Sequence, residues 1–157
     1  MLLKQFQDQA TAHIDASPAL AFGTITDLRR LPEWNNRIPE VLEEPAGPLA
    51  DGVEWKVQMS VPPARWVSHA RVLRYDPVQL TFQHVSDSDD GNPSFAVWTW
   101  TVTAEGDGAV VTVTWDVHPE TFWRRFLLAR IRRRQLVREV SASLHALRYH
   151  LAAREPA

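Results

Sequence analysis

The sequence has no cysteine, two methionines, two tyrosines and six glycines among 157 residues. Without cysteine there is no disulfide framework, no thiolate zinc site, no iron–sulfur cluster and no cysteine nucleophile. No stretch approaches the ~20 consecutive apolar residues of a membrane-spanning helix. Met1-Leu2-Leu3-Lys4, followed by Asp8, offers no signal-peptide apolar region, so a cytoplasmic location is expected. There is no glycine-rich phosphate loop, no His-Glu-x-x-His and no serine in a nucleophile-elbow context. A large excess of charge of one sign is also missing. The formal net charge is −2, which argues against a general polyanion binder.

Apolar residues make up 45% and charged residues 23%, placing the chain in the globular class. A chain of this length is about one domain and can bury roughly 70% of its unfolded surface. A single domain over residues 1–157 is therefore expected. Arginine far outnumbers lysine, and alanine, proline and tryptophan are frequent, as in a GC-rich bacterial genome. The unusual feature is seven tryptophans, enough to line a space as well as to fill one.

Gln5–Ala16 alternates loosely and reads as a strand. Ser17-Pro18 reads as a helix N-cap with proline at the first helical position, and the apolar spacing predicts a helix over Pro18–Leu28. A second short helix is predicted over Pro32–Ile38, carrying Trp34. The prolines at 39, 45 and 48 keep the next stretch irregular or edge-like. Five strands follow: Val53–Val61, Arg65–Tyr75, Gln79–Val85, Phe95–Ala104 and Ala109–His118. Ser86–Pro93 reads as a loop and Gly106-Asp107-Gly108 as a hairpin turn. From Glu120 to about Ala153 the pattern is helical. Phe122, Phe126, Val137, Val140, Leu144, Leu147 and Leu151 form one stripe, with Trp123, Leu127 and Ile131 beside it. About 33 helical residues would span roughly 50 Å, so a kink or a separate first segment is expected, with the break near Arg130–Gln135. The fold class is therefore α+β: a curved antiparallel sheet gripping a long C-terminal helix, with two short helices after the first strand.

Several short motifs, each present once, mark this order. They are Ile14-Asp15-Ala16-Ser17-Pro18, Thr26-Asp27-Leu28, Leu31-Pro32-Glu33-Trp34, Tyr75-Asp76-Pro77 and Ser143-Leu144-His145-Ala146-Leu147. In order and spacing the chain resembles the START-like (SRPBCC) superfamily of helix-grip proteins, which includes polyketide cyclases/dehydratases. The resemblance implies a cavity between sheet and terminal helix. Lipid carriers, hormone sensors, quinone-binding proteins and aromatase/cyclases share that shape, so activity must be argued from the site.

By strand parity Trp55, Trp98, Trp100 and Trp115 share faces with valine and methionine and point to the concave side. An aromatic-walled cavity for a flat or greasy ligand is preferred over plain core filling. His84, inward after Leu80 and Phe82, could act as an acid or base. A satisfied, half-exposed histidine near a strand end is the simpler reading. Ser68 could meet a ligand oxygen, or only nearby backbone. Arg133, on the apolar stripe, could hold a carboxylate or phosphate, or snorkel to water, which is preferred. The basic run Arg124, Arg125, Arg130, Arg132, Arg133, Arg134 and Arg138 is read first as a solvated face, and otherwise as a surface for anionic partners. His145 and His150 do not share a helix face. Asp116 and His118 have no evident third ligand, so no metal is expected.

The candidate ligand-binding set is Trp34, Trp55, Val57, Met59, Phe82, His84, Trp98, Trp100, Trp115, Arg133, Val140 and Leu144. The expected partner is a small hydrophobic ligand bound without a cofactor. Neither nucleic acid nor stable membrane insertion is expected, and the chain would be a monomer or homodimer. A cyclase/aromatase acting in the same cavity is the alternative, with His84 or Arg133 handling proton or enolate charge.

Overall fold

The computed structural model describes residues 6–88, 95–118 and 129–154, with side chains over 8–88, 95–118 and 135–152. Strand β1 (Phe6–Ile14) leads into helix α1 (Pro18–Thr26). Ser17 caps α1, its Oγ accepting the Leu20 N–H at 3.1 Å, and Pro18 opens the first turn. The second short helix differs from its expected place over Pro32–Ile38. It is a 3-10 helix over Leu28–Glu33, and Trp34 stands at its C-cap. Pro32 brings no N–H and disfavours helical backbone at Leu31. The Trp34 and Asn35 N–H groups then both turn back to the Leu31 carbonyl, at 3.2 and 2.8 Å, and the segment closes.

Strands β2 (Glu40–Glu43), β3 (Glu54–Val61), β4 (Ala64–Asp76), β5 (Thr81–Ser88), β6 (Phe95–Glu105) and β7 (Gly108–His118) complete the sheet. Its order is β1-β7-β6-β5-β4-β3-β2, and every pairing is antiparallel. The helical segments after β1 thus carry the chain from one edge of the sheet to the other. β5 runs further than expected, through Ser88, so Ser86 belongs to the strand. Leu80 lies outside it, with φ +52° in the turn before β5. Asp76 closes this turn by accepting the Val78 and Gln79 N–H groups.

A bulge in β4 sets Val72 opposite His84 and Arg74 opposite Gln83, leaving Leu73 as the extra residue. Side-chain parity therefore switches along β4. Val72 faces the core on one side of the bulge, and Tyr75, stacked on Phe22 at 5.9 Å, does so on the other. At the β6–β7 turn, Gly106 takes φ +58° at the first central position. Gly108 is fixed by close approach, since a Cβ there would lie 2.5 Å from the Ile14 carbonyl oxygen.

Helix α2 (Ala129–Arg154) runs uninterrupted across the segment where a break was expected. At 1.5 Å per residue its 26 residues span about 39 Å. Phe122, Trp123, Phe126 and Leu127 lie outside the described residues. Leu136, Val140, Leu144, Leu147 and Leu151 form the buried stripe of α2, with Val137 only partly buried. Among the described residues no helix is long and apolar enough to cross a membrane.

Candidate functional site

A cavity of about 730 Å³ opens between the concave face of the sheet and the helical layer. That is the size range of small-molecule sites. Register explains its aromatic wall. Trp115, Trp98 and His84 are cross-strand partners on β7, β6 and β5, and Trp100 pairs with Phe82 one row away. The ring centroids of Trp115 and Trp98 are 5.9 Å apart, and those of Trp98 and His84 are 6.4 Å apart at 14°. His84 in turn meets Trp55 at 5.3 Å and Phe82 at 5.2 Å. The result is a ladder of rings across β7, β6, β5 and β3. β3 and β4 extend the floor, where Trp55, Val57 and Met59 pair with Ala70, Ser68 and Trp66. Trp34, Ile38, Leu136 and Val140 face it from the helical side, and Trp34 meets Trp100 edge-on at 6.1 Å.

The expected residues divide accordingly. Trp34, Trp55, Val57, Met59, Phe82, His84, Trp98, Trp100, Trp115 and Val140 all line the cavity. Leu144 does not. It is 2% exposed within the core between helix and sheet. The Arg133 side chain lies outside the described residues, as do those of Arg124, Arg125, Arg130, Arg132 and Arg134. Trp66, Ser68 and Ser86 line the wall as well, and so do Asn35, Glu139 and Ser143. Trp66 shares strand parity with Ser68 and Ala70, a signal that could have marked it, whereas Ser86 was read as the start of a loop and is placed in the wall only because β5 runs on through Ser88. No periodic signal marks Asn35, which sits in an irregular turn.

His84 departs from the expected satisfied histidine. It lies within β5, part of its ring opens onto the cavity wall, and its enclosed Nδ1 has no hydrogen-bond partner among the described residues. Burial pushes its pKa down from the ordinary 6.5 to about 3. The ring is therefore neutral at physiological pH, one more flat surface in the ladder. Trp34 Nε1 is likewise enclosed and without a partner among the described residues. The Trp98 indole N–H, by contrast, donates to Ser86 Oγ at 2.9 Å.

Among the described residues, the charged ones lining the cavity are Asp8, Arg37, Arg65, Asp87 and Glu139, of which Arg65 and Asp87 are exposed. Among the described residues, no group of three or more His, Cys, Asp or Glu side chains is arranged to hold a metal ion.

Solved structures share this architecture. The Zhui aromatase/cyclase from Streptomyces sp. R1128 superposes with a TM-score of 0.80 at 13% identity, covering 98% of each chain. A protein of Thermus thermophilus gives 0.77 at 18% identity, covering 96% of this chain and 100% of that one. The di-domain ARO/CYC StfQ from the steffimycin biosynthetic pathway gives 0.77 at 10% identity, covering 96% of this chain and 51% of that one. At such identities the likeness is one of fold. A search of curated proteins finds no significant sequence match. The family described as polyketide cyclase / dehydrase and lipid transport matches residues 6–152, nearly the whole length, and the chain belongs to it.

Proposed function

We propose that the chain binds a small, flat, hydrophobic or aromatic molecule, lipid- or polyketide-like, in the cavity between sheet and helices. The observation that carries this reading is the ladder Trp115–Trp98–His84–Trp55 facing a space of about 730 Å³. Apolar burial at about 25 cal/mol per Å² supplies the main driving force. Stacking on indole faces adds a preference for planar ligands. No cofactor is needed, and carriage, sensing or sequestration of such a ligand requires no further chemistry.

Cyclisation in the same cavity is the second reading, supported by the family and by the aromatase/cyclase neighbours. The state of His84 tells against it in one respect. A general base works best with a pKa near the working pH, and an imidazole at about 3 is poorly matched to that task. Binding is therefore placed above catalysis. An interaction surface on the arginine-rich helix is a third reading, and it predicts salt-sensitive association with anionic vesicles or RNA.

Titration with planar apolar dyes and flavonoids tests the first reading. Saturable quenching of tryptophan emission that persists at high salt is expected, because apolar burial is not screened. Absence of quenching across a varied panel would return the tryptophans to plain core. Turnover of a candidate polyketide by the wild type, lost in His84→Ala, would promote the cyclase reading.

A further inference from the structure

The cavity has a polar corner where the turn after the 3-10 helix meets α2. Asn35 and Ser143 both line it, and Ser143 is 7% exposed. The Arg37 backbone N–H lies 3.1 Å from Asn35 Oδ1. A backbone N–H can only donate, so the atom it meets must be the amide oxygen, and the orientation of the Asn35 amide is fixed. Ser143 Oγ lies 3.3 Å from the same oxygen. An amide oxygen carries no proton, so the hydroxyl donates here too. Both bonds therefore fall on Oδ1, and the Nδ2 end has no hydrogen-bond partner among the described residues. Two other donors in the wall are differently placed: the Trp98 N–H is used on Ser86, and Trp34 Nε1 is enclosed.

We infer that Asn35 is a specificity-determining residue of this cavity: its anchored Nδ2 group donates to an oxygen acceptor, as a ketone or quinone carbonyl presents, at one end of a planar aromatic ligand. The inference rests on the ligand-binding reading above and adds the ligand's polarity. A pre-oriented donor rejects a ligand lacking the acceptor, because filling the corner with carbon strips water from the amide without replacing its bond.

Two naphthalene probes of similar size separate the possibilities. Propionyl-dimethylaminonaphthalene carries a ketone whose emission moves to the red when the carbonyl accepts a hydrogen bond. N-phenylnaphthylamine has no carbonyl. Each is titrated into the wild type, Asn35→Leu and Ser143→Ala, with folding checked by circular dichroism. Saturable binding of both probes to the wild type is expected. In Asn35→Leu the ketone-to-amine affinity ratio should fall about tenfold, and the bound ketone's emission should move to the blue. Ser143→Ala should move both in the same direction by less, since the Arg37 N–H still holds the amide. It also keeps the test decisive if leucine at 35 impairs folding. A ratio and emission unchanged in the folded variants would overturn the inference. Binding of the amine alone to the wild type would leave the cavity standing and remove the role of Asn35. Binding of neither probe would remove both.

Discussion

The Trp98 indole N–H donates to the Ser86 hydroxyl at 2.9 Å, and the ring so held lies almost parallel to His84, at 14°. The bond spends the one polar atom of Trp98 inside the wall. Two residues apart on neighbouring inward positions of β5, Ser86 and His84 thus act on the same indole, one through its edge and one through its face.

Removing the acceptor exposes the cost of that arrangement. In Ser86→Ala the half-buried Trp98 N–H loses its partner, and an unmade bond of this kind costs about 1–3 kcal/mol. Ser86→Thr retains the hydroxyl and should recover most of the loss. Urea unfolding followed by circular dichroism checks both. Equal midpoints for Ser86→Ala and the wild type would mean that the bond contributes nothing net.

His84 predicts a pH dependence. Its folded pKa, about 3, lies below the unfolded value near 6.5. Between those values the unfolded chain binds a proton that the native chain does not. Stability therefore falls as pH drops through this window, with a slope of up to about 1.4 kcal/mol per pH unit from this group. His84→Phe keeps a flat ring and removes the proton site. Its advantage over the wild type should grow from pH 7 to pH 4.5 in urea midpoints. Parallel pH profiles for the two proteins would show that His84 titrates normally.

Helix α2 supplies a contrast within one element. Leu144 is 2% exposed, and truncation to alanine should cost about 2–5 kcal/mol, as for a buried leucine. Arg148, exposed one turn later, should change stability by under about 0.5 kcal/mol when replaced by alanine. Reversal of this ranking in thermal or urea denaturation would place the apolar stripe on the wrong face.

Period-two alternation made the aromatic wall legible in the sequence, because β3, β5, β6 and β7 keep parity through their cavity-facing stretches. Trp55, Phe82, His84, Trp98, Trp100 and Trp115 were found that way, and all line the cavity. Alternation could not show the bulge at Leu73, which resets parity on β4 and brings Tyr75 inward. Nor could it place the short helix. Pro32 ends regular hydrogen bonding locally, and the contacts that matter for Asn35 come from Ser143, distant in sequence. Helical spacing put Val140 and Leu144 on one buried stripe. It could not separate Val140, at the cavity, from Leu144, one turn deeper in the core, because that difference depends on where the sheet curves away.

The cavity itself is tested through Trp100. This residue is 8% exposed, lines the cavity and packs edge-on against Trp34. Truncation to alanine removes a large wall element and enlarges the space, at a stability cost of about 3–5 kcal/mol. Trp100→Leu is the gentler change, keeping apolar volume while losing the flat face. If planar ligands stack against this wall, Trp100→Leu should weaken a flat dye by roughly 0.5–1.5 kcal/mol, the increment of an aromatic pair. A flexible aliphatic ligand that gains only from burial should lose less. The measurement is a pair of dissociation constants, by competition against one reporter dye, at low and high salt. Selective loss of the flat ligand at both salt concentrations would locate it against Trp100. Equal losses for the two ligands would mean that Trp100 merely bounds the volume, and a strong salt dependence would move binding to the charged rim.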